Sequence, residues 1–214
     1  MIITIDGPAG SGKSTVANIL ADKLGFIHFN SGSVFRAITA FLLENNKDIS
    51  TLYNAKVCVK LLNNNQHVFV NKKDYTSILR NNEISVNVAT FATEEIVQKI
   101  AQDCMRNFCL KNNTIVDGRG LGDTVFPFAD YKFYLDSSIK ERAKRRYKEE
   151  KAKNSNITLK EIKTQIAERD YLDKTREIAP LVIPEGAIVI DSTSLTIEDV
   201  IKLMLKHINL EHGI

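Results

Sequence analysis

A glycine-rich segment near the start of the chain has the residue types and spacing of a phosphate-binding loop. Residues 7–14 read Gly-Pro-Ala-Gly-Ser-Gly-Lys-Ser and match the pattern G-x-x-x-x-G-K-[ST]. Glycines let the backbone form a concave nest of N–H groups for phosphate oxygens, and the following helix adds its positive dipole end. Lys13 can reach the β- and γ-phosphates, and the Ser14 hydroxyl can join a Mg²⁺ shell. The pattern predicts binding of a nucleoside triphosphate by Gly7, Pro8, Ala9, Gly10, Ser11, Gly12, Lys13, Ser14 and Thr15.

Five short apolar runs, rich in β-branched residues, predict the sheet that carries this loop. Such continuous runs are typical of strands buried on both faces, and the helical stretches between them predict right-handed crossovers. We therefore expect an α/β fold with a parallel sheet and with ligands at the carboxyl ends of its strands. The predicted strands are Ile2–Ile5, Phe26–Phe29, Thr114–Val116, Tyr131–Leu135 and Ala187–Ile190. The predicted helices span about 12–24, 33–45, 93–111, 138–153, 158–172 and 196–208.

Residues 47–92 interrupt this alternation. Their polar turns and short apolar pieces predict an inserted helix and a small antiparallel β unit.

Two short motifs are those of GTP-binding switch proteins: Asn71–Asp74 reads N-K-x-D, and Asp117–Gly120 reads D-x-x-G. Their order along this chain is the reverse of the order in those proteins. Because Asn and Asp are turn formers, we interpret Asn71–Asp74 as a hairpin turn.

The composition is that of an ordinary globular protein. The chain has 214 residues, 43% hydrophobic and 26% charged, with a formal net charge of +3. This mild basicity suits an anionic substrate without indicating nucleic acid. No apolar run approaches the roughly 20 residues of a membrane helix, and no signal-peptide pattern opens the chain. The thiols of Cys58, Cys104 and Cys109 have no zinc-site spacing. We expect a cytoplasmic monomer that binds neither nucleic acid nor membrane.

Arginines recur beside the predicted strand ends. Arg36 follows the second strand and Arg119 the third, while Arg169 and Arg176 lie near the end of a helix. Transfer of a phosphoryl group between two anions needs cations besides Mg²⁺, and the planar guanidinium group suits phosphate. Any one of these arginines taken alone is more often a solvated or salt-bridged side chain. The basic stretch Lys140–Lys153 is typical of a solvated helix beside a nucleotide lid.

A series of short motifs runs along the whole chain. They are Ile5-Asp6-Gly7-Pro8, Ser31-Gly32…Arg36, Asp117-Gly118-Arg119, Phe126-Pro127, Arg142 with Arg145 and Arg146, Arg169-Asp170…Asp173…Arg176, Ala179-Pro180-Leu181 and Asp191-Ser192-Thr193. In these features the sequence resembles, from end to end, the bacterial cytidylate kinases, which are nucleoside monophosphate kinases of the P-loop class. The resemblance implies a core of about residues 1–46, 93–138 and 177–214, a monophosphate-binding insert at about 47–92 and a helical lid at about 139–176.

The resemblance also implies a role for each matching residue, and the implied reaction is ATP-dependent phosphorylation of CMP and dCMP with Mg²⁺. Lys13, Arg119 and Arg176 would stabilise the phosphoryl group in transit. The acceptor would be held by Ser31, Arg36, Asp117, Arg119, Arg169, Asp173 and Arg176, with Asp173 on the ribose hydroxyls. ATP would be held by the phosphate loop, by Ser14 through Mg²⁺, and by Arg145 or Arg146 from the lid.

Three base-reading positions depart from the family pattern. Gly120 stands where the family usually has an Asp that reads cytosine. The alignment places Ala89 and Gln98 where the family has a Ser and an Arg, and a one-residue slip would offer Thr90 or Lys99 instead. Asn30 also replaces a usual Asp. A base-reading pocket discriminates because wrong bases leave buried polar groups unpaired, so these departures leave base selection open. Asp123 or Gln98 could supply substitute contacts, or the enzyme could accept other monophosphates. Another small-molecule kinase and a non-catalytic nucleotide-binding module remain alternatives.

Overall fold

A five-stranded parallel sheet forms the centre of the molecule, in a computed structural model that describes residues 1–152 and 157–212. The strands are β1 (Ile2–Asp6), β2 (Ile27–Asn30), β6 (Thr114–Gly118), β7 (Tyr131–Asp136) and β8 (Ile188–Asp191). Their order in the sheet is β2–β6–β1–β7–β8, and every neighbouring pair is parallel. This confirms the sheet predicted from the five apolar runs.

Helices flank the sheet and connect its strands. They are α1 (Lys13–Leu24), α2 (Ser31–Glu44), α4 (Glu95–Cys109), α5 (Ile139–Ala152), α6 (Leu159–Thr175) and α7 (Ile197–His212). Helix α2 begins two residues before its predicted start because Asn30 caps it, its side chain accepting a hydrogen bond from the Ser33 N–H. Helix α6 begins with the capping box that the Thr158/Glu161 spacing predicts.

Residues 49–91 form a separate group of elements between α2 and α4. An antiparallel sheet contains β3 (Val57–Leu62), β4 (Asn65–Val70) and β5 (Lys73–Asp74), and helix α3 (Asn82–Phe91) follows it. Short 3₁₀ helices span Ile49–Asn54 and Thr76–Ile78. Asn71 and Lys72 both have positive φ in the turn between β4 and β5. Asn71–Asp74 is therefore part of a hairpin, as its turn-forming residues predict.

The hydrophobic core has two large parts, one on each face of the central sheet. One part packs α1 and α7 against the sheet, and the other packs α2 and α4 together with Val68 and Val70 of the antiparallel sheet. Helices α5 and α6 pack on each other through a small cluster of their own, centred on Ala143, Ile162 and Ile166. This helical pair therefore relies on polar contacts for much of its connection to the rest of the molecule.

No helix in the described part of the chain is long and apolar enough to cross a membrane. The cysteines are unpaired: Cys58 is exposed, while Cys104 and Cys109 are buried in α4. Burial raises the pKa of each of the two buried thiols to about 12. These two thiols are therefore protonated and unreactive at neutral pH.

Candidate active site

The phosphate-binding loop lies at the carboxyl end of β1 and leads into α1. Gly7 has φ of 148°, and a Cβ there would lie 2.2 Å from the carbonyl oxygen of Leu135 on the neighbouring strand β7. Only glycine fits this approach of the loop to the sheet. Gly12 also has positive φ (93°) where it caps the amino end of α1. The strand–loop–helix context that the motif requires is therefore present.

The ammonium group of Lys13 is buried under the loop. Its Nζ donates hydrogen bonds to the Pro8 carbonyl oxygen (2.6 Å) and to Ser11 Oγ (3.2 Å). Burial lowers the pKa of Lys13 to about 7, and the positive charge of Arg119 acts in the same direction. An anion bound beside Lys13 would oppose both effects, because it would stabilise the charged ammonium form.

Ser14, the predicted metal ligand, is bonded to a carboxylate. Its hydroxyl donates to Asp117 Oδ2 at 2.6 Å, so the end of β6 meets the start of α1. On the other side of this carboxylate, His28 Nε2 lies 2.7 Å from Oδ1, and Asn30 Nδ2 donates to the same oxygen at 3.2 Å. Gln66 of β4 bonds both the N–H and the carbonyl oxygen of Asn30. This network joins the antiparallel sheet to the phosphate-loop helix.

Three arginines converge on Asp173 in α6. Arg119 Nε forms an ion pair with Asp173 Oδ2, Arg169 Nε lies 3.9 Å from the same oxygen, and Arg176 Nη1 lies 3.6 Å from Oδ1. Within the described residues, neither the Nε of Arg119 nor that of Arg169 has an acceptor in hydrogen-bonding geometry. One carboxylate thus faces three guanidinium groups, and the excess positive charge suits an anionic ligand.

The pKa shifts of these arginines record their mutual repulsion. The charge of Arg119 is the largest cause that lowers the pKa of Arg169, and burial adds to it. Burial lowers the pKa of Arg36 and of Arg176, and Arg146 and Arg119 repel Arg36 further. Each guanidinium group nevertheless keeps its proton. The lowered pKa values show that the cluster lacks negative charge.

Ser31 and Arg36, predicted to hold the acceptor phosphate, are both engaged with protein groups. The buried Ser31 hydroxyl donates to the Asp117 carbonyl oxygen at 2.7 Å. Arg36 Nη1 donates to the Leu79 carbonyl oxygen (3.1 Å) and to Ser85 Oγ (2.8 Å), which tether it to the segment that enters α3. Both residues lie on α2, near the carboxyl ends of the parallel strands, where Asp117 also lies.

The arginines of α5 lie at different depths. Arg142 is buried, with its Nη1 2.7 Å from Asp170 Oδ2, which differs from the expectation of a solvated helix. Arg145 donates to the Ser11 carbonyl oxygen (3.3 Å) and to the Ser192 carbonyl oxygen (2.6 Å). Arg146 faces the arginine cluster, since its charge lowers the pKa of both Arg36 and Arg169.

A comparison with protein families places the chain in a known family. The family described as Cytidylate kinase matches residues 3–210. The chain belongs to the cytidylate kinase family. It is 39% identical to a cytidylate kinase of Clostridium botulinum over 202 residues, or 93% of each chain. It is 38% identical to one of Carboxydothermus hydrogenoformans across 100% of both chains. A cytidylate kinase of Fusobacterium nucleatum is 39% identical over 211 residues and 97% of each chain. The chain is accordingly a phosphotransferase.

Solved structures add support for the fold alone. A shikimate kinase from Bacteroides thetaiotaomicron superposes with a TM-score of 0.53 over 98% of both chains, at 10% identity. An uncharacterized protein from Eubacterium ventriosum superposes with a TM-score of 0.50 over 98% of both chains, at 11% identity. The P-loop kinase fold predicted from the sequence is therefore confirmed.

The three positions that depart from the cytidylate kinase pattern have different surroundings. The Gln98 side chain is buried, and its amide Nε2 donates to the Ala92 carbonyl oxygen at 2.6 Å. Gly120 has φ of 67°, and a Cβ there would lie 2.7 Å from the carbonyl oxygen of Ala179. Ala89 is half-buried on α3. The chain backbone thus occupies the space into which a side chain at position 120 would extend.

Several residues of the site were not assigned a role from the sequence. Arg142 and Asp170 bond the phosphate loop, His28 bonds Asp117, and Gln66 bonds Asn30. Asp6 accepts hydrogen bonds from the backbone N–H groups of residues 121 and 122, while its burial raises its pKa. Arg142 and Asp170 stand within the shared family motifs, but only the tertiary structure brings them to the loop.

Proposed function

We propose that the chain transfers the γ-phosphoryl group of ATP to CMP and dCMP, forming the diphosphates. The observation that carries the proposal is the convergence of Arg119, Arg169 and Arg176 on one carboxylate in the same charged site as Lys13. Membership of the cytidylate kinase family and the names of its relatives support CMP as acceptor. The reaction belongs to pyrimidine nucleotide metabolism, and we place it in the cytoplasm.

The donor side of the proposal rests on the phosphate loop. Residues 7–15 would cradle the β- and γ-phosphates with their N–H groups, and Lys13 would exchange its loop contacts for phosphate oxygens. Arg145 and Arg146 would contact ATP from α5, which with α6 forms the proposed lid at about residues 139–176. Closure of this lid would exclude water and suppress hydrolysis of ATP.

Mg²⁺ fits the oxygen atoms that the structure brings together at the start of α1. The Ser14 hydroxyl and the Asp117 carboxylate are 2.6 Å apart, and both are hard oxygen donors of the kind that Mg²⁺ prefers. Mg²⁺ is commonly held by one or two carboxylates together with substrate phosphates, so these two residues suffice. The ion would neutralise charge on the β- and γ-phosphates; Ser14 would hold it directly and Asp117 would hold its shell.

The acceptor side of the proposal rests on the arginines. Ser31 and Arg36 would position the acceptor phosphate, and Asp117 would belong to the same substrate-binding group. Arg119 and Arg176 would reach this phosphate or the group in transit, with support from Arg169. Asp173 would accept hydrogen bonds from the ribose. The insert at about residues 47–92 would complete the acceptor pocket. Catalysis would consist of positioning and charge neutralisation, without a covalent intermediate or a dedicated general base.

A panel of acceptors tests the proposed function. ADP formation from MgATP is measured with CMP, dCMP, UMP, AMP and dTMP, each over a range of concentrations. We expect CMP and dCMP to give the highest kcat/KM. Because Ala89 and Gly120 offer no polar side chain and the Gln98 amide is bonded to Ala92, this selectivity would depend on other groups. A clear preference for another monophosphate, or no stimulation by any of them, would contradict the proposal.

A further inference from the structure

A buried ion pair joins the α5–α6 pair to the phosphate loop. Arg142 of α5 and Asp170 of α6 are 6% and 9% exposed, and Arg142 Nη1 lies 2.7 Å from Asp170 Oδ2. Arg142 Nε also donates to the Ser137 carbonyl oxygen at 2.9 Å, which fixes the guanidinium plane. Neither residue belongs to the arginine cluster around Asp173.

Both partners of this ion pair bond the backbone of one loop residue. Arg142 Nη1 donates to the Ala9 carbonyl oxygen at 2.9 Å, and the Ala9 N–H donates to Asp170 Oδ1 at 3.2 Å. The next residue, Gly10, lies against Arg142 so closely that a Cβ there would be 3.4 Å from the Arg142 Cβ. The peptide groups on both sides of Ala9 are thus oriented by charged side chains.

This arrangement orients the part of the loop to which Lys13 is bonded. Lys13 Nζ donates to the carbonyl oxygen of Pro8, whose peptide bond carries the Ala9 N–H. A rotation of that peptide group would move the Pro8 oxygen and break the Lys13 contact, because the peptide unit is planar. The Arg142–Asp170 pair therefore fixes the peptide group from which Lys13 would turn to the phosphates when the donor binds.

The energetics of burial favour a positioning role over a stabilising one. Removing two charges from water costs free energy that their attraction often does not recover, and well-packed apolar residues of similar volume are often as stable. The cluster of Ala143, Ile162 and Ile166 already packs α5 on α6 without this pair. What apolar side chains could not supply is a directed donor and acceptor for the two backbone groups of Ala9.

We propose that Arg142 and Asp170 are positioning residues that hold the phosphate loop in the conformation that binds the donor triphosphate. They act through the peptide groups on both sides of Ala9 and are not among the residues proposed to contact either substrate. The inference rests on the proposed function, since it assigns the pair to the ATP half of that reaction. It requires that disturbing the pair weakens ATP binding while CMP binding is retained.

The test compares Arg142→Lys and Asp170→Asn with the wild-type protein. Lysine keeps the charge but offers one donor group in place of the guanidinium fork, and asparagine keeps the shape but removes the charge. We expect KM for ATP to rise about tenfold in each variant, the usual effect of losing one charge-assisted hydrogen bond, with KM for CMP changed less than about twofold. Lys144→Ala, at an exposed position on the same helix, serves as the control and leaves both constants unchanged.

A second measurement separates positioning from folding. The rise in melting temperature caused by MgATP, with no acceptor present, falls in both variants, while the rise caused by CMP does not. The double variant Arg142→Met with Asp170→Leu keeps an apolar contact between the helices, so it stays folded and shows the same selective loss.

Two results overturn the inference. One is an equal change in KM for both substrates, and the other is a lowered melting temperature with unchanged stabilisation by MgATP. Failure of the proposed function looks different. The wild-type protein would then not form ADP in response to CMP, although its stabilisation by MgATP would still report on the pair.

Discussion

The proposed donor half and the proposed acceptor half of the candidate active site are held in place by different forces. In the donor half, residues 7–15, polar groups have directed partners within the protein: Lys13 bonds Pro8 and Ser11, and Ala9 is bonded on both sides. In the acceptor half, Arg119, Arg169, Asp173 and Arg176, like charges are crowded around one carboxylate. The donor half is organised before ligand binds, whereas the acceptor half has an excess of positive charge that an anionic ligand would relieve.

This difference has a physical reason. A backbone nest is built from neutral N–H groups, so it can be fully assembled without a large repulsive cost. A cluster of guanidinium groups strong enough to hold a transferring phosphoryl group must repel itself until the anion arrives. Asp173 lowers that cost because its carboxylate lies among the arginines and forms an ion pair with Arg119. The two halves therefore respond differently to substitution.

The largest expected effect is in the donor half. Replacing Lys13 by Ala removes the ammonium group that would contact the β- and γ-phosphates, and no described neighbour in the loop supplies another cation. We expect kcat/KM to fall about a thousandfold or more, as for the loss of a preorganised charge in other active sites. The measurement is ADP formation with CMP as acceptor. Near-normal turnover of Lys13→Ala would show that the loop does not carry the chemistry.

The two halves also differed in how much of each could be predicted from the sequence. The phosphate loop is contiguous and follows an apolar strand, so its type, place and partners in the sheet could be read from residues 2–24. The antiparallel hairpin at Asn71–Asp74 was predicted for a similar local reason. By contrast, the bonds from Arg142 and Asp170 to Ala9 span 133 and 161 residues of sequence, so no local pattern contains them.

The chemistry of the acceptor half was only partly predictable, because it too depends on contacts between residues that are far apart in the sequence. The arginine residues and their positions near strand ends indicated phosphate binding. The contacts of Asp173 with three arginines, however, depend on how α6 packs beside the end of β6. Arg142 lies in a helix that was expected to be mostly solvated, but its own side chain is buried among Asp170 and the carbonyl oxygens of Ser137 and Ala9. Side-chain burial of this kind follows from tertiary packing and overrides the local charge pattern.

The next effect in size is expected in the acceptor half. Asp173→Asn keeps the shape of the side chain but leaves three guanidinium groups without their shared carboxylate. We expect the free energy of unfolding to fall by about 3 kcal/mol and the melting temperature by about 9 °C. Sulfate or inorganic phosphate should restore more stability in this variant than in the wild-type protein, because either anion can take the place of the carboxylate.

A matched control isolates that effect. Asp22 is an exposed carboxylate on α1, so Asp22→Asn changes the net charge equally without touching the site. We expect it to alter the melting temperature by less than about 1 °C. If added phosphate stabilised the wild-type protein, Asp22→Asn and Asp173→Asn to the same extent, Asp173 would not be the group that balances the arginines.

The smallest effect comes from two glycines with nearly the same backbone conformation, of which one lies beside an arginine of the acceptor half and the other at the far end of α1. Gly25 ends α1 with φ of 68° and open space around it, while Gly120 has φ of 67° and lies against the carbonyl oxygen of Ala179. Gly25→Ala should cost about 1 kcal/mol, from left-handed backbone strain alone. Gly120→Ala should cost about 2–3 kcal/mol, because it adds a steric contact to the same strain.

The kinetic consequences of these two substitutions should differ more than their stabilities. The Ala179 carbonyl oxygen accepts a hydrogen bond from Arg176 Nε at 2.7 Å, so displacing it would move an arginine of the acceptor half. Gly120→Ala should therefore raise KM for CMP several-fold while KM for ATP stays unchanged, and Gly25→Ala should leave both constants unchanged. The checks are thermal unfolding and steady-state kinetics on both variants. Equal KM values for CMP in the two variants would mean that position 120 tolerates a side chain and that the backbone of Ala179 does not position Arg176.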